Sequence, residues 1–365
     1  MELSPREALI TLNLIPGLGS MRIQALLEHF GSAELALAAP VPMLVQVPRL
    51  GEKLAMALAD WRHCTDVRAE LACAESAGAR VVTFLDDEYP DALRRMTDPP
   101  IVLYVLGEWR QEDAAHAVSL VGTRVASPYG LSNARRFARE LADFGCTIIS
   151  GLARGIDTAA HWGALDAGGR TIAVLGSGLS HLFPAENRPL VESIVRGGHG
   201  AVVSEFPMNM RPSRNSFPQR NRVVAAWSKA TLVAEASQRS GALHTAGLSA
   251  ELYGNQVFAI PGSIAQSSSI GCHQLIRDGA ILCSSPAELI ADMGWDRKPR
   301  QLELFESQPS SELPPLLAAI SAGHHTLDAL CSALGQPAYE LTPQLIRLQI
   351  EKRIVPLPGG GYALS

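Results

Sequence analysis

Several features that would indicate a chemical function are missing from this sequence of 365 residues. Its cysteines form no CxxC pair and no other spacing typical of a metal site. We expect them to be reduced and mostly buried thiols. The six cysteines are Cys64, Cys73, Cys146, Cys272, Cys283 and Cys331.

The first fifty residues contain neither a secretion signal nor a long hydrophobic run. Glu2 and Pro5 stand where a secretion signal would carry basic residues. The least charged early stretch, 35–48, contains Pro40 and Pro42 and is too short to cross a bilayer. We therefore expect a cytoplasmic chain that does not insert into membranes.

Net positive charge is also missing. The chain has 31 lysines and arginines against 36 aspartates and glutamates, which gives a net charge of −5. Because phosphate binding needs positive charge, any nucleic-acid site must be a local patch. The 47% of apolar residues and 18% of charged residues exclude general disorder. A chain of this length can form two or three domains, each with its own core.

Two common nucleotide-binding motifs are incomplete or absent. No GxxxxGK[ST] occurs, which argues against a P-loop ATPase. Gly176 and Gly178 begin a GxGxxG-like stretch, but His181 stands where the third glycine would be. The sequence thus contains no complete fingerprint for either class of nucleotide site.

Residues 1–75 have an all-helical pattern with an internal repeat. The segment 15–22 (IPGLGSMR) recurs 32 positions later as 47–54 (VPRLGEKL), and an apolar helical pattern follows each copy. Such a turn can present free N–H groups to a phosphate, as helix-hairpin-helix and SAM-like modules do. The alternative is a helical bundle whose hairpins only pack. Nine acidic against six basic residues favour this alternative.

From residue 79 the pattern alternates between strands and helices. This alternation predicts an α/β domain over 79–295 with a Rossmann-like, doubly wound and mostly parallel sheet. A helix is predicted over 130–144, where apolar residues share one face and Gly145 ends the element. The predicted strands are the nine apolar runs 80–85, 101–106, 118–121, 146–149, 171–175, 201–203, 231–234, 256–260 and 280–283.

The C-terminal part divides into a linker and a small domain. Residues 296–315 contain seven charged residues and four prolines, which predicts a linker. Residues 316–365 follow the order helix, turn, helix, hairpin, which predicts a winged helix. Basic and acidic residues balance at three each in this domain, so docking to a protein is at least as well supported as docking to DNA.

Glycines follow several of the predicted strands. Gly122, Gly151, the Gly176–Gly178 pair and Gly262 each stand just after an apolar run. In open α/β sheets, ligands bind outside the carboxyl ends of the strands, where glycine lets backbone amides approach and helix N-termini favour anions. The sequence therefore predicts one anion-binding crevice at this edge.

An arginine-rich segment between Glu205 and Glu235 suggests which anion. It contains Phe217 and no acidic residue. Arginines around an aromatic ring suit the phosphates and unpaired bases of a single strand. The alternatives are a core phenylalanine and arginines of a solvated loop, since arginine clusters also make structural ion pairs. The basic residues of the segment are Arg211, Arg214, Arg220, Arg222 and Lys229.

Successive motifs over roughly residues 80–290 resemble the DprA (DNA-processing protein A, or Smf) family of bacterial natural transformation. They occur in the correct order over a span that a chance short motif does not reach. The motifs are SLVGTR (119–124), PYG (128–130), SGLARGIDTAAH (150–161), TIAVLGSGL (171–179), FPQRNR (217–222), RSGALHTA (239–246) and FAIPG (258–262).

The resemblance implies a non-enzymatic protein that binds single-stranded DNA in a Rossmann-like domain, with no cofactor and no metal. It implies that the protein protects incoming DNA, helps to load the RecA recombinase and works as a homodimer. Arg124 and Arg214 would bind phosphates, Phe217 would stack on a base, and Ser150 with Gly151 would offer hydroxyl and backbone contacts. The remaining implied site residues are Gly122, Arg154, Gly176, Gly178, Arg220, Asn221 and Arg222.

Asp157 and His161 could suggest an acid–base pair. We interpret Asp157 instead as the N-cap of a helix and His161 as a structural residue on the same face, because no nucleophile or metal set accompanies them. Two other classes remain as alternatives. One is a nucleotide-cleaving phosphoribohydrolase on the same Rossmann variant, and the other is a winged-helix transcription regulator.

Overall fold

The structure is a computed structural model that describes residues 3–295, 315–350, 353–357 and 361–364. The chain forms two compact units, Met1–Arg300 and Gln301–Ser365. The predicted linker, 296–315, lies outside the described residues except for its last position. Among the described residues, no helix is long and apolar enough to cross a membrane.

The N-terminal part is helical, as the sequence predicts. Its helices are α1 (Pro5–Leu14), α2 (Ser20–Phe30), α3 (Ala33–Ala38), α4 (Val41–Leu44), α5 (Gly51–Ala59), α6 (Trp61–Cys64) and α7 (Val67–Ser76).

Arg22 connects the two copies of the repeated hairpin. Its guanidinium donates to the backbone oxygens of Gly17 and Arg49, each at 2.9 Å. This geometry favours the interpretation that the hairpins pack against each other. A phosphate-binding role for them stays a prediction.

A nine-stranded sheet follows. Its strands are β1 (Arg80–Thr83), β2 (Val102–Gly107), β3 (Ala117–Gly122), β4 (Thr147–Ser150), β5 (Thr171–Val174), β6 (Gly200–Ser204), β7 (Ala230–Glu235), β8 (Gln256–Ala259) and β9 (Ile281–Leu282). Their spatial order is β1-β2-β6-β5-β4-β3-β7-β8-β9. Only β1 with β2 and β2 with β6 pair antiparallel. The predicted fold, a doubly wound and mostly parallel sheet, is confirmed.

The order of the strands places a crevice at one point of the sheet. From β3 the chain winds outward through β4, β5 and β6, and it then returns to place β7 on the other side of β3. The loops after β3 and β7 therefore leave the sheet in opposite directions. Such a topological switch point is where open α/β sheets bind ligands.

Helices cover both faces of this sheet. They are α8 (Asp91–Arg94), α9 (Pro128–Asp143), α10 (Ile156–Asp166), α11 (Arg188–Arg196), α12 (Ser216–Trp227), α13 (Gly241–Tyr253), α14 (Ile270–Arg277) and α15 (Pro286–Asp292). Helix α9 begins two residues before the predicted start, because Ser127 caps it by accepting from the Gly130 amide and Pro128 occupies its first turn.

The predicted boundary near residue 75 is a change of secondary structure within one packed unit. Leu9, Ile10 and Leu12 of α1 lie in the same hydrophobic cluster as Val102 and Tyr104 of β2. A carboxylate of α7 joins the two parts as well, since Glu70 Oε1 accepts from the Met208 amide at 2.7 Å. The helical region therefore shares its core with the sheet.

The second unit has the predicted order of helices and hairpin. It comprises α16 (Pro315–Ser321), α17 (Leu327–Leu334), α18 (Ala338–Ile350) and the antiparallel pair β10 (Ile354–Leu357) and β11 (Gly361–Leu364). In α18, Leu341 and Leu345 are fully buried and Leu348 is partly buried. The winged-helix prediction is confirmed.

Candidate nucleic-acid interface

A pocket with a volume of about 390 Å³ opens at the switch point, and we call it the carboxyl-edge pocket. Its lining carries three arginines and one carboxylate, a local net charge of +2 (3 − 1) in a chain of net charge −5. It is lined by Val121, Gly122, Thr123, Arg124, Val125, Gly151, Ala153, Asp157, Arg220, Asn221, Val224, Ser237, Arg239, Ser240, Gly241, Ala242 and Thr245.

Arg124 and Phe217 stand together beside this pocket. The Arg124 side chain is exposed, and its guanidinium carbon lies 4.7 Å from the centroid of the Phe217 ring. Phe217 is half-buried and rests against Gly176, where a Cβ would come within 2.7 Å of the ring. Glycine after β5 therefore leaves room for the ring beside the backbone. Among the described residues, Arg124 makes no ion pair.

Buried polar groups hold the loop after β4 in place. Asp157 Oδ2 accepts from the amides of Gly151 and Ala153 at 3.1 and 3.3 Å. The Arg220 guanidinium donates to the backbone oxygens of Gly151 and Val174. Burial raises the pKa of Asp157, and the nearby Arg220 acts in the opposite direction. The loop is thus preorganised by a buried charge pair.

The predicted N-cap role of Asp157 is wrong. Helix α10 is preceded by Gly155, and Asp157 lies in its first turn, from which its carboxylate reaches back to the loop after β4. Gly155 is needed at the cap because its φ is +76° and a Cβ would lie 2.4 Å from the Thr123 oxygen.

His161 is a core residue. Thr171 Oγ1 donates its only hydrogen to the Ile148 oxygen, so His161 Nδ1 must donate to Thr171 Oγ1 at 2.7 Å. Its Nε2 is buried and has no hydrogen-bond partner. Burial lowers the pKa of His161 to about 3, so the ring stays neutral at physiological pH. The geometry supports the structural interpretation.

Comparison with known families agrees with this architecture. A family model described as DNA recombination-mediator protein A matches residues 80–294, and a model of the DprA winged helix domain matches residues 302–360. Protein Smf from Escherichia coli is 38% identical over 303 residues, which are 80% of each chain. Protein Smf from Synechocystis is 36% identical and covers 95% of this chain and 96% of that one. The chain belongs to the DprA/Smf family.

Two solved structures of DprA proteins share the fold. The X-ray structure of DprA from Streptococcus pneumoniae matches with a TM-score of 0.67 at 33% identity, over 80% of this chain and 99% of that chain. DprA from Helicobacter pylori matches with a TM-score of 0.52 at 28% identity, over 59% of this chain and 95% of that chain. The latter structure concerns that protein's single-stranded DNA binding mode. The resemblance to the DprA family drawn from motifs is confirmed.

The structure brings part of the implied DprA site together. Gly122, Arg124, Gly151, Arg220 and Asn221 line the carboxyl-edge pocket. Gly176 and Phe217 stand beside it through the contact with Arg124. Arg214 is exposed on the loop before α12, three residues from Phe217, and makes no ion pair within the described part of the chain.

Three implied residues have other contacts in the structure. The buried Ser150 hydroxyl donates to the Leu120 oxygen at 2.7 Å. Arg154 is exposed but forms a two-point ion pair with Glu186 at 2.7 and 2.8 Å. Gly178 packs so closely on the loop at 207–208 that a Cβ would lie 2.0 Å from the Pro207 oxygen. None of these three lines the carboxyl-edge pocket.

Arg222 is the clearest departure from the implied site. Its side chain is only 9% exposed and is paired with Asp98 at 3.2 Å and with Glu205. Burial raises the pKa of Glu205, and the charge of Arg222 opposes that rise. Arg222 therefore neutralises buried carboxylates away from the pocket. Arg220, likewise buried, lines the pocket but donates to its backbone, which favours loop-holding over a direct DNA contact.

Sequence reasoning missed one wall of the pocket. Arg239, Ser240 and Thr245, from the loop after β7 and from α13, line it together with Thr123. The signal was available, since RSGALHTA (239–246) matches a family motif and follows a predicted strand. No role was assigned to it because its position beside Arg124 depends on the placement of β7 next to β3.

Proposed function

We propose that this chain binds single-stranded DNA at the carboxyl-edge pocket and acts as a recombination mediator. The observation that carries the proposal is the exposed guanidinium of Arg124 against the Phe217 ring, beside a pocket of net positive lining. An arginine can neutralise a phosphate, and an aromatic ring can stack on any base. The single-strand binding mode studied for the Helicobacter pylori relative supports the same ligand class.

The geometry favours single strands over duplexes. In a duplex the faces of the bases are stacked on each other and are closed to a protein ring, whereas an unpaired base offers its face. The chain as a whole is acidic, so the long-range attraction that any duplex would feel is weak. Preference for unpaired DNA therefore follows from Phe217 and from the local nature of the charge.

The test compares two ligands at two salt concentrations. Fluorescent oligo-dT should bind more tightly than a blunt duplex of equal length, and raising the salt should weaken binding through counterion release. Arg124→Ala should weaken binding and reduce the slope of log affinity against log salt by about one, with an unchanged melting temperature. Equal affinity for duplex and single strand, or full affinity in the folded Arg124→Ala variant, contradicts the proposal.

We also propose that the pocket holds DNA without cleaving it. The carboxylate in the lining, Asp157, is buried, accepts from two backbone amides and lies near the charge of Arg220, so it serves to hold the loop rather than to activate water. End-labelled oligo-dT and free nucleoside monophosphates should remain intact on incubation with the protein. Specific cleavage, lost in Asp157→Asn but kept in a surface variant, would favour the phosphoribohydrolase alternative.

The finer family properties are proposals for this chain as well. Protection of incoming DNA, loading of RecA and action in the cytoplasm are supported by membership of the DprA family alone. The loading of RecA is tested by the rate at which RecA filaments assemble on single-stranded DNA, which should rise in the presence of the protein. A homodimer is supported by membership of the family, and the edge strand β9, whose Leu282 is 50% exposed, offers a surface for it. Light scattering on the wild type and on Leu282→Lys would test it.

A further inference from the structure

We infer that the carboxyl-edge pocket contains a second phosphate-binding site, made by Arg239 and the N-terminus of α13 on the wall opposite Phe217. This inference rests on the proposed single-strand binding and extends it. The ligand is the phosphodiester of a nucleotide further along the same strand. The bound strand would then cross the carboxyl edge of the sheet from the end of β5 to the end of β7.

Arg239 has an uncompensated charge in the pocket wall. Its side chain is exposed, and it forms no ion pair with any of the acidic residues that the structure describes. The one carboxylate of the lining, Asp157, is buried and engaged by the loop after β4. The charge of Arg239 is therefore available to an anion that enters the pocket.

The backbone next to Arg239 suits the same anion. Ser240 is the N-cap of α13, a helix of 13 residues, and its hydroxyl accepts from the Ala242 amide at 3.3 Å. At Gly241 a Cβ would meet nothing within 4 Å, so the first turn of the helix faces open space in the pocket. An arginine, a helix N-terminus and an open approach in one cavity together favour a phosphate.

The arrangement of the strands separates this position from Arg124. The Arg124 guanidinium lies over Phe217, which rests on Gly176 just after β5. Arg239 follows β7, and β5 and β7 are three strand spacings apart in the sheet. That separation is roughly 14 Å. Because the Arg124 side chain is directed towards β5, the two arginines should contact different phosphates of one strand.

The test uses the full chain and oligo-dT. Arg239→Ala should weaken binding several-fold and reduce the slope of log affinity against log salt by about one. The double variant Arg124→Ala/Arg239→Ala should reduce the slope by about two, since two phosphates lose their partners. Arg239→Lys keeps the charge and should restore most of the slope. Arg277→Ala removes an exposed arginine outside the pocket and should change neither quantity.

The outcomes separate this inference from the proposed function. If Arg124→Ala weakens binding while Arg239→Ala behaves like Arg277→Ala, the second phosphate site is refuted. The proposed binding of single strands at the carboxyl-edge pocket is then unaffected. A double variant whose slope falls by only one shows that both arginines contact the same phosphate. This result overturns the inference that Arg124 and Arg239 contact different phosphates. If neither arginine affects binding, the proposed function fails together with the inference. Melting temperatures of all variants exclude unfolding as the cause.

Discussion

The arginine-rich segment between Glu205 and Glu235 has two halves with opposite environments. In the loop before α12, Arg211 and Arg214 are exposed and make no ion pair within the described residues. Within α12, Arg220 and Arg222 are buried and fully engaged with backbone oxygens and carboxylates. Arg214 and Arg222, eight positions apart, thus lie in opposite environments, one facing solvent and the other paired in the interior.

The difference teaches that an arginine cluster does not by itself locate a nucleic-acid site. Transfer of a guanidinium into the protein interior is costly unless every charge is paired. Asp98 and Glu205 pair with Arg222. Burial lowers the pKa of Arg220 to about 10, and the nearby charge of Asp157 opposes that fall. Only the exposed half of the segment can exchange counterions for phosphates.

The largest effect should come from the buried half. Arg222→Ala leaves Glu205 and Asp98 without their counter-charge, and breaking a buried ion pair in this way costs about 3–5 kcal/mol of the free energy of unfolding. Denaturant unfolding of the variant measures the loss. The fraction that stays folded should bind oligo-dT with the wild-type salt slope.

The matched control for this variant is Arg214→Ala, which removes an arginine from the exposed half. It should leave the unfolding midpoint unchanged. An Arg222→Ala protein of normal stability that had lost DNA affinity would reverse the assignment of the two halves.

A smaller effect is expected at Phe217, between the two halves. Removing a stacking ring costs on the order of 1–3 kcal/mol of binding free energy and leaves the salt slope nearly intact, because no charge is removed. Phe217→Leu keeps much of the packing against Gly176 without an aromatic face, so its melting temperature should stay near that of the wild type. Fluorescence titration with oligo-dT measures the change.

The variant Phe217→Tyr retains a stacking ring and should bind nearly as well as the wild type. If Phe217→Leu binds normally, or if both variants lose stability before they lose affinity, Phe217 is a packing residue and the stacking role is refuted.

The smallest effect is expected for one exposed arginine. Arg214→Ala should reduce affinity for oligo-dT by up to about tenfold, or about 1.4 kcal/mol, and lower the salt slope by about one. Lys229→Ala removes an exposed cation of the same segment at the other end of α12 and should change neither value. Equal effects of the two substitutions would show that general charge, and not the position of Arg214, governs binding.

Much of the fold could be predicted from the sequence, because local patterns of apolar residues and glycines indicate the strands and helices. All nine predicted apolar runs correspond to strands of one sheet, with ends that differ by at most two residues. The glycines after β3, β4 and β5 correctly indicated the carboxyl edge, because close backbone approach there needs residues without a side chain. The order of strands and the antiparallel edge formed by β1 and β2 required the tertiary structure.

The sequence by itself determined the elements, the glycine-rich edge and membership of the DprA family. Only the tertiary structure decided which polar side chains face solvent. Asp98 is 124 positions from Arg222, and Leu120 is 30 positions from Ser150. Local patterns do not contain such pairings, because burial depends on what packs against a residue from elsewhere in the chain. Arg239 lines the same pocket as Arg124 for the same reason, since β7 returns to lie beside β3.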